Sequence, residues 1–253
     1  MEIKYEKQYS HQLGRDMEFK VYGHAGKAML YIPCQNGRFF DFENFKMIDK
    51  MRPWIEAGRL QVFSVDTLDS ESWSDPWGDC RRRIERHEQW VRYLIHEIVP
   101  QMMARARERN HEANPKLMVF GSSLGAMHAA NLFFRYPDLF DMGLALSGVY
   151  DSKFAFGDYM DDLVYQNSPV DYLRNMPWDH YYMDLYRNSQ MIICVGQGAW
   201  EDELLAGTRR LDRVLKEKNI PVWVDFWGYD VSHDWDWWYR QVDYYMPKLL
   251  GNI

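Results

Sequence analysis

Short apolar runs alternate with longer amphipathic segments along most of this chain. Near the N-terminus, two stretches of alternating polar and apolar positions, 3–9 and 17–22, predict an antiparallel pair of strands. Beyond them, apolar runs as long as a buried strand are separated by segments with helical spacing. The runs predicted as strands are 27–34, 60–65, 117–120, 142–148, 191–196 and 221–227. The segments predicted as helices are 42–57, 81–108, 126–134, 203–218 and 234–250.

Regular alternation of strand and helix is typical of a mostly parallel sheet with helices on both faces, so the sequence predicts the α/β class. No linker-like tract, low-complexity stretch or internal repeat divides the 253 residues. We therefore expect a single domain over 1–253. The long helix at 81–108 contains Pro100, where we expect a bend.

The regular spacing is lost between residues 149 and 189, a segment crowded with aromatic and acidic residues. It follows a predicted strand, and insertions of this length in a domain are often lids over a functional site. We expect residues 149–189, the cap segment, to cover a substrate cleft. The alternative is that its aromatic side chains form only a small satellite core.

Composition and charge narrow the classes of function. Hydrophobic residues make up 47% of the chain, enough for a large core. The formal net charge of −7 disfavours nucleic acid as a partner. The three cysteines do not have the spacing of metal ligands. The N-terminus lacks the apolar core of a signal peptide and no run of membrane-spanning length occurs, so we expect a cytoplasmic protein without a membrane partner.

The motif G-x-S-x-G occurs at 121–125, between the apolar run 117–120 and a segment with helical spacing. This strand, turn and helix order is typical of a nucleophile elbow, in which glycines allow the strand and helix to approach closely. Ser123 is the central residue and hence the candidate nucleophile. The alternative is a serine-rich turn in which Ser122 or Ser123 only caps the helix.

A serine hydroxyl requires a general base that is oriented by a carboxylate. In proteins with this elbow the acid and the histidine follow the serine in the chain, each after a strand. Of eight histidines, only His180 and His233 follow the elbow helix, and only His233 follows a predicted strand. We therefore predict His233 as the base; the alternative is an ordinary histidine of a surface loop.

The orienting carboxylate is expected in the loop after the strand at 191–196. Glu201 is preferred and Asp202 is a close second, because Glu203 should already belong to the next helix. Either acid could instead stabilise the N-terminus of that helix through its dipole.

Two backbone N–H groups are expected to stabilise the oxyanion that forms during attack on a carbonyl. One belongs to Leu124, the residue after the candidate nucleophile. The other should come from the loop after the strand at 27–34, where Gln35 is preferred and Asn36 is the alternative.

Several segments, taken together, resemble the sequence pattern of a known family. They are 97–100 in the long predicted helix, the elbow 121–125 with 136–140 downstream, and 233–235 followed by Trp238. These segments resemble the esterase family of α/β-hydrolases that includes esterase D (S-formylglutathione hydrolase), feruloyl and acetyl xylan esterase domains, and mycobacterial mycolyltransferases.

The resemblance implies the α/β-hydrolase fold and either carboxylic-ester hydrolysis or acyl transfer, with Ser123 as nucleophile and His233 as base. This chain differs from the family pattern at two places. Ala199 stands where the family often has its acid, and the oxyanion strand ends at 33–35 in Pro-Cys-Gln, where the family commonly has a His-Gly or Asp-Gly pair.

The sequence as a whole predicts a serine carboxylesterase that acts on a small-molecule ester and needs neither metal nor organic cofactor. The aromatic residues indicate an aryl or acyl-sugar ester, and we expect substrate contacts from Trp73, Trp178 and Trp200. One alternative is a non-catalytic binding protein with a hydrolase fold, suggested by Ala199. Another is acyl transfer to an acceptor other than water.

Overall fold

Eight strands form one sheet in the computed structural model, which describes residues 1–253. The strands are β1 (Ile3–Ser10), β2 (Arg15–Tyr22), β3 (Lys27–Ile32), β4 (Leu60–Val65), β5 (Leu117–Ser122), β6 (Phe140–Leu146), β7 (Gln190–Val195) and β8 (Trp223–Phe226). Their order is β1-β2-β4-β3-β5-β6-β7-β8. Only the β1/β2 and β2/β4 pairs are antiparallel. The prediction of a mostly parallel sheet is confirmed.

Eleven helices follow β3, and none lies between β1, β2 and β3. They are α1 (Asp41–Asn44), α2 (Met47–Glu56), α3 (Cys80–Tyr93), α4 (Val99–Asn110), α5 (Leu124–Arg135), α6 (Lys153–Phe156), α7 (Asp162–Gln166), α8 (Pro169–Asn175), α9 (Tyr182–Arg187), α10 (Asp202–Glu217) and α11 (Trp235–Leu250). None of them combines the length and the apolar character needed to cross a membrane.

Two predicted helices are interrupted. The segment at 42–57 is split into α1 and α2 because Lys46 adopts a left-handed conformation with φ of 54°. The segment at 81–108 is split by a π-helical turn at Leu94–Ile98, and Pro100 lies in the first turn of α4. A proline lacks an N–H group and its ring crowds the carbonyl four residues earlier, so the irregularity lies in the turn that precedes Pro100.

Both faces of the sheet are buried along the central strands β3 to β7, which explains the continuous apolar runs of these strands. In β5, Leu117 and Val119 pack in one core cluster with α3, α4 and α5. Met118 and Phe120 point the other way and pack in a second cluster with α2 and α11. Because β3 and β5 to β8 are parallel neighbours, their carboxyl ends and the loops that follow them lie along the same edge of the sheet.

The cap segment contains four short helices, α6 to α9. Tyr150, Val170 and Tyr186 join the larger core cluster. Phe156 packs with Trp73 in a third, smaller cluster that also contains Leu124, the first residue of α5. Part of the cap segment's apolar surface therefore serves packing, as the satellite-core alternative supposed.

Candidate active site

Ser123 lies between the end of β5 and the start of α5 and has the unusual backbone angles φ 57° and ψ −129°. A side chain in this region of φ/ψ space is strained. A Cβ atom on Gly121 would lie 2.2 Å from the carbonyl oxygen of Gly125, and a Cβ on Gly125 would lie 2.3 Å from that of Pro33. The two motif glycines thus permit the sharp turn that exposes the serine.

The hydroxyl of Ser123 lies beside the imidazole of His233, although 110 residues separate them in the chain. The distance from Ser123 Oγ to His233 Nε2 is 3.0 Å. His233 is held in the loop between β8 and α11 by its backbone N–H, which donates to the Ala199 carbonyl at 3.0 Å. Its ring also packs edge-on against Trp238, with ring centroids 4.9 Å apart. These contacts limit the orientations open to the imidazole.

Glu201 is fully buried beside His233, on the side opposite to the serine contact. Glu201 Oε2 is 3.5 Å from His233 Nδ1, and neither atom has a hydrogen-bond partner. A small movement would turn this contact into a hydrogen bond, and catalytic bonds are often long in the absence of substrate. Asp202 is exposed as the first residue of α10 and forms no contact with His233. The structure therefore brings together Ser123, His233 and Glu201, and places Asp202 away from them.

A second serine, Ser147, fixes the Glu201 carboxylate. Ser147 Oγ donates to Glu201 Oε1 at 2.6 Å, and the indole N–H of Trp238 donates to Ser147 Oγ at 3.2 Å. Ser147 directly follows β6 and has a φ of 55°. With Oε1 occupied in this way, Oε2 is left facing His233. Ser147 was not among the predicted site residues; its position at the carboxyl end of a parallel strand next to β5 was the available signal.

Two backbone N–H groups near Ser123 are free to bind an oxyanion. The N–H of Leu124 is at the first position of α5, where no intrahelical acceptor exists. The N–H of Gln35, in the loop after β3, donates to no acceptor in the protein. In contrast, the N–H of Asn36 donates to Asp69 Oδ2 at 3.1 Å. The geometry thus favours Gln35 over Asn36 as the second donor.

A cavity of about 220 Å³ opens next to Ser123. Its lining residues are Gln35, Ser123, Leu124, Val149, Phe154, Trp200, Glu203, Leu204 and His233. Val149 and Phe154 come from the cap segment, and Trp200 is 84% exposed at the rim. The cavity is thus lined by apolar side chains, by the serine and the histidine, and by the two residues that carry the free N–H groups.

Two of the three tryptophans expected to contact substrate do not line this cavity. Trp73 is buried, with its ring edge-on to Phe156 at 5.1 Å, because the cap segment packs over it. Trp178 is exposed elsewhere on the surface, where Lys218 Nζ lies 5.0 Å from its ring centroid. Of the three, only Trp200 lines the cavity.

Cys34 lies close to the site, but desolvation raises the pKa of its thiol to about 12, so it is not a ready nucleophile. No group of three or more His, Cys, Asp or Glu side chains is arranged to hold a metal ion.

Comparison with known proteins gives both a family and a fold. The chain matches the family described as "Putative esterase" over residues 10–248. A solved ferulic acid esterase superposes with a TM-score of 0.74 at 14% identity, covering 98% of each chain. An S-formylglutathione hydrolase from Agrobacterium tumefaciens has a TM-score of 0.74 at 14% identity, over 98% of this chain and 95% of the other.

A third similar structure is that of MPT51 (FbpC1) from Mycobacterium tuberculosis, with a TM-score of 0.67 at 15% identity over 98% of each chain. No curated protein has a sequence that matches this chain. Identities this low show the fold alone, which is that of the α/β-hydrolases, as predicted. The family match covers nearly the whole chain, and we conclude from it that the protein belongs to this esterase family.

Proposed function

We propose that this protein is a serine carboxylesterase that forms an acyl-enzyme on Ser123. The observation that carries the proposal is the 3.0 Å contact between Ser123 Oγ and His233 Nε2 at a strained elbow. A serine hydroxyl becomes an effective nucleophile when a base within hydrogen-bond distance can take its proton. Leu124 and Gln35 line the same cavity and have free N–H groups, which in this proposal supply the remaining requirement, stabilisation of the oxyanion.

The proposed reaction has two halves. Ser123 Oγ attacks the ester carbonyl while His233 Nε2 takes the hydroxyl proton, and the carbonyl oxygen becomes an oxyanion between the two N–H groups. His233 then passes the proton to the leaving alcohol, which departs and leaves an acyl group on Ser123. Water repeats the attack with His233 as base and releases the acid. Glu201 stabilises the imidazolium in both halves and holds the tautomer that leaves Nε2 free to accept.

The substrate we propose is an aryl or acyl-sugar ester. The walls formed by Val149, Phe154 and Leu204 suit an apolar group, and Trp200 at the rim offers a flat surface on which an aromatic or sugar ring can stack. In this proposal the protein is a single domain, and its cap segment contributes to substrate specificity. A cytoplasmic location and the lack of nucleic-acid and membrane partners stay predictions.

Replacing Trp200 with alanine is expected to change selectivity more than overall activity. Its ring is mostly exposed, so folding should be little affected, while an aryl ester loses its stacking contact. We expect kcat/KM for an aryl ester to fall about 10-fold relative to that for ethyl acetate. Equal losses on aryl, acyl-sugar and short-chain esters would contradict this substrate class. Trp178→Ala, remote from the cavity, is the matched control.

Ser147→Ala tests whether the fixed orientation of Glu201 matters. The substitution leaves the buried Oε1 atom without its donor, so the carboxylate can rotate away from His233. We expect kcat to fall about 10-fold with little change in KM. Ser152→Ala is a suitable control, because Ser152 is also fully buried but its hydroxyl has no hydrogen-bond partner. Equal activities of the two variants would show that Ser147 has no such role.

A fluorophosphonate probe separates the esterase from a non-catalytic binding protein. We expect wild type and Ser122→Ala to be labelled and Ser123→Ala not to be labelled. Failure of the wild type to react would favour the binding protein. Addition of alcohols to the ester assay then tests acyl transfer, since a transferase yields the new ester in preference to the free acid.

A further inference from the structure

A buried carboxylate and imidazole form a pair between α5 and the turn after β3, the two segments that carry the candidate oxyanion donors. Asp69 follows β4, and His128 lies in α5; their side chains are 2% and 1% exposed. Asp69 Oδ1 is 2.8 Å from His128 Nε2. Nothing in the reaction proposed above uses either residue. Since buried charges are costly unless they are fully hydrogen-bonded, the pair calls for a physical reason.

The pair connects the two segments that carry the free N–H groups. His128 lies one helical turn after Leu124, so the two residues share a face of α5. The other oxygen of Asp69, Oδ2, accepts from the N–H of Asn36 at 3.1 Å. Asn36 is the residue next to Gln35 and has a left-handed φ of 59°. The Asp69 carboxylate thus forms hydrogen bonds both with the helix that begins with Leu124 and with the turn that contains Gln35.

No other hydrogen bond joins this turn to α5. Within the turn, Gly37 N–H donates to the Cys34 carbonyl at 2.8 Å. The carbonyl of Gly37 accepts from Thr67, which follows β4, through its N–H and its hydroxyl. These bonds fix the shape of the turn and its distance from β4. The position of the turn relative to α5 depends on Asp69 and on the close packing of Gly125 against Pro33.

Aromatic rings keep the pair dry and rigid. His87 stacks on His128 with ring centroids 5.0 Å apart, and Trp90 and Trp73 pack on His128 at 5.1 Å and 6.0 Å. Burial, followed by the nearby His128, lowers the pKa of His87 well below its usual value. His87 is therefore a neutral packing partner. Asp69 provides the only hydrogen bond that His128 makes through its side chain.

We propose that Asp69 and His128 are positioning residues that set the separation of the Gln35 and Leu124 N–H groups, and with it the stabilisation of the oxyanion. The proposal rests on the proposed esterase function. Loss of the bridge should let the turn at Gln35 move relative to α5 while Ser123 and His233 stay in contact. A displacement of about 1 Å at a reacting centre can lower the rate about 100-fold.

Asp69→Asn is the first test, because an asparagine oxygen can accept from only one of the two former donors when the amide nitrogen faces the other. We expect kcat to fall between about 10-fold and 100-fold with KM nearly unchanged. His128→Ala should have a similar effect. His128→Gln, which can still donate an N–H to Asp69, should recover part of the loss.

A thionoester supplies a readout that a merely structural role would not change. Its sulfur is a weaker hydrogen-bond acceptor than a carbonyl oxygen and gains less from the two N–H groups. We expect the ratio of kcat/KM for an ester to that for the matching thionoester to be large in wild type. In Asp69→Asn and His128→Ala the ratio should fall about 10-fold.

His87→Gln is the matched control, because it alters the same aromatic cluster without removing a bond to Asp69, and its ratio should equal that of wild type. A ratio unchanged in Asp69→Asn and His128→Ala would overturn the proposal. The same would follow if His87→Gln lowered it equally. Failure of the proposed function looks different, because the wild type would then hydrolyse no ester in a manner that depends on Ser123.

Discussion

Replacing Ser123 with alanine is expected to lower kcat for hydrolysis of p-nitrophenyl acetate by about 10⁶-fold. Without the hydroxyl no acyl-enzyme can form, and His233 has no proton to take from the nucleophile. The remaining rate should come from water that attacks a carbonyl polarised by the N–H groups of Leu124 and Gln35. The rate of p-nitrophenol release, followed by stopped-flow and steady-state absorbance, measures this loss of kcat.

The adjacent Ser122 is an informative control for this variant. Its side chain is buried at the end of β5, and its hydroxyl has no hydrogen-bond partner. Ser122→Ala should therefore keep nearly full activity. If Ser123→Ala retained activity within about 10-fold of wild type, another group would have to be the nucleophile.

Glu201→Gln is expected to lower kcat by about 10⁴-fold. The side-chain amide has almost the same shape, and its oxygen can still accept from Ser147. Its nitrogen then faces His233 Nδ1 as a donor, which favours the tautomer that carries its proton on Nε2. That tautomer cannot accept the proton of Ser123, and the amide cannot stabilise an imidazolium.

The neighbouring acid gives a matched control for this prediction. Asp202 is exposed at the start of α10 and does not contact His233, so Asp202→Asn should change kcat by less than about 3-fold. The ratio of the two kcat values decides between the alternatives that the sequence left open. A large loss in Asp202→Asn, or none in Glu201→Gln, would show that Glu201 is not the orienting acid.

The sheet and the elbow could be predicted from the sequence because local patterns determine them. β5 is buried on both faces, so it appears as an unbroken apolar run, and the glycines at 121 and 125 are required wherever strand and helix backbones come this close. His233 could be selected as the candidate base from chain order together with its place after a predicted strand. These features depend on residues close together in sequence or on a fixed order of strands.

Contacts between residues far apart in the sequence could not be predicted, because no local pattern determines them. The hydrogen bond of Ser147 to Glu201 joins residues 54 positions apart, and that of His128 to Asp69 joins residues 59 apart. Neither pair has a characteristic spacing. Trp73 was expected to contact substrate, but the packing of the cap segment over its ring, which no periodicity encodes, buries it.

The difference in burial between Glu201 and Asp202 also depends on the tertiary structure. Both precede or begin a helix, so position alone could not separate them. The left-handed conformation of Trp200, with φ of 67°, precedes Glu201 at the point where the chain enters α10. Glu201 is fully buried next to His233, while Asp202 is exposed to solvent.

The central claim is that the acyl group of the substrate is transferred to Ser123 while His233 acts as the general base. Trapping the acyl-enzyme intermediate tests this claim most directly. The enzyme is mixed with p-nitrophenyl acetate, quenched in acid during the first turnover, digested and examined by mass spectrometry. We predict one acetyl group per chain on the peptide that contains Ser123, and none when Ser123→Ala is treated in the same way. Turnover without acetylation of Ser123, or with the acetyl group on another residue, would contradict the account.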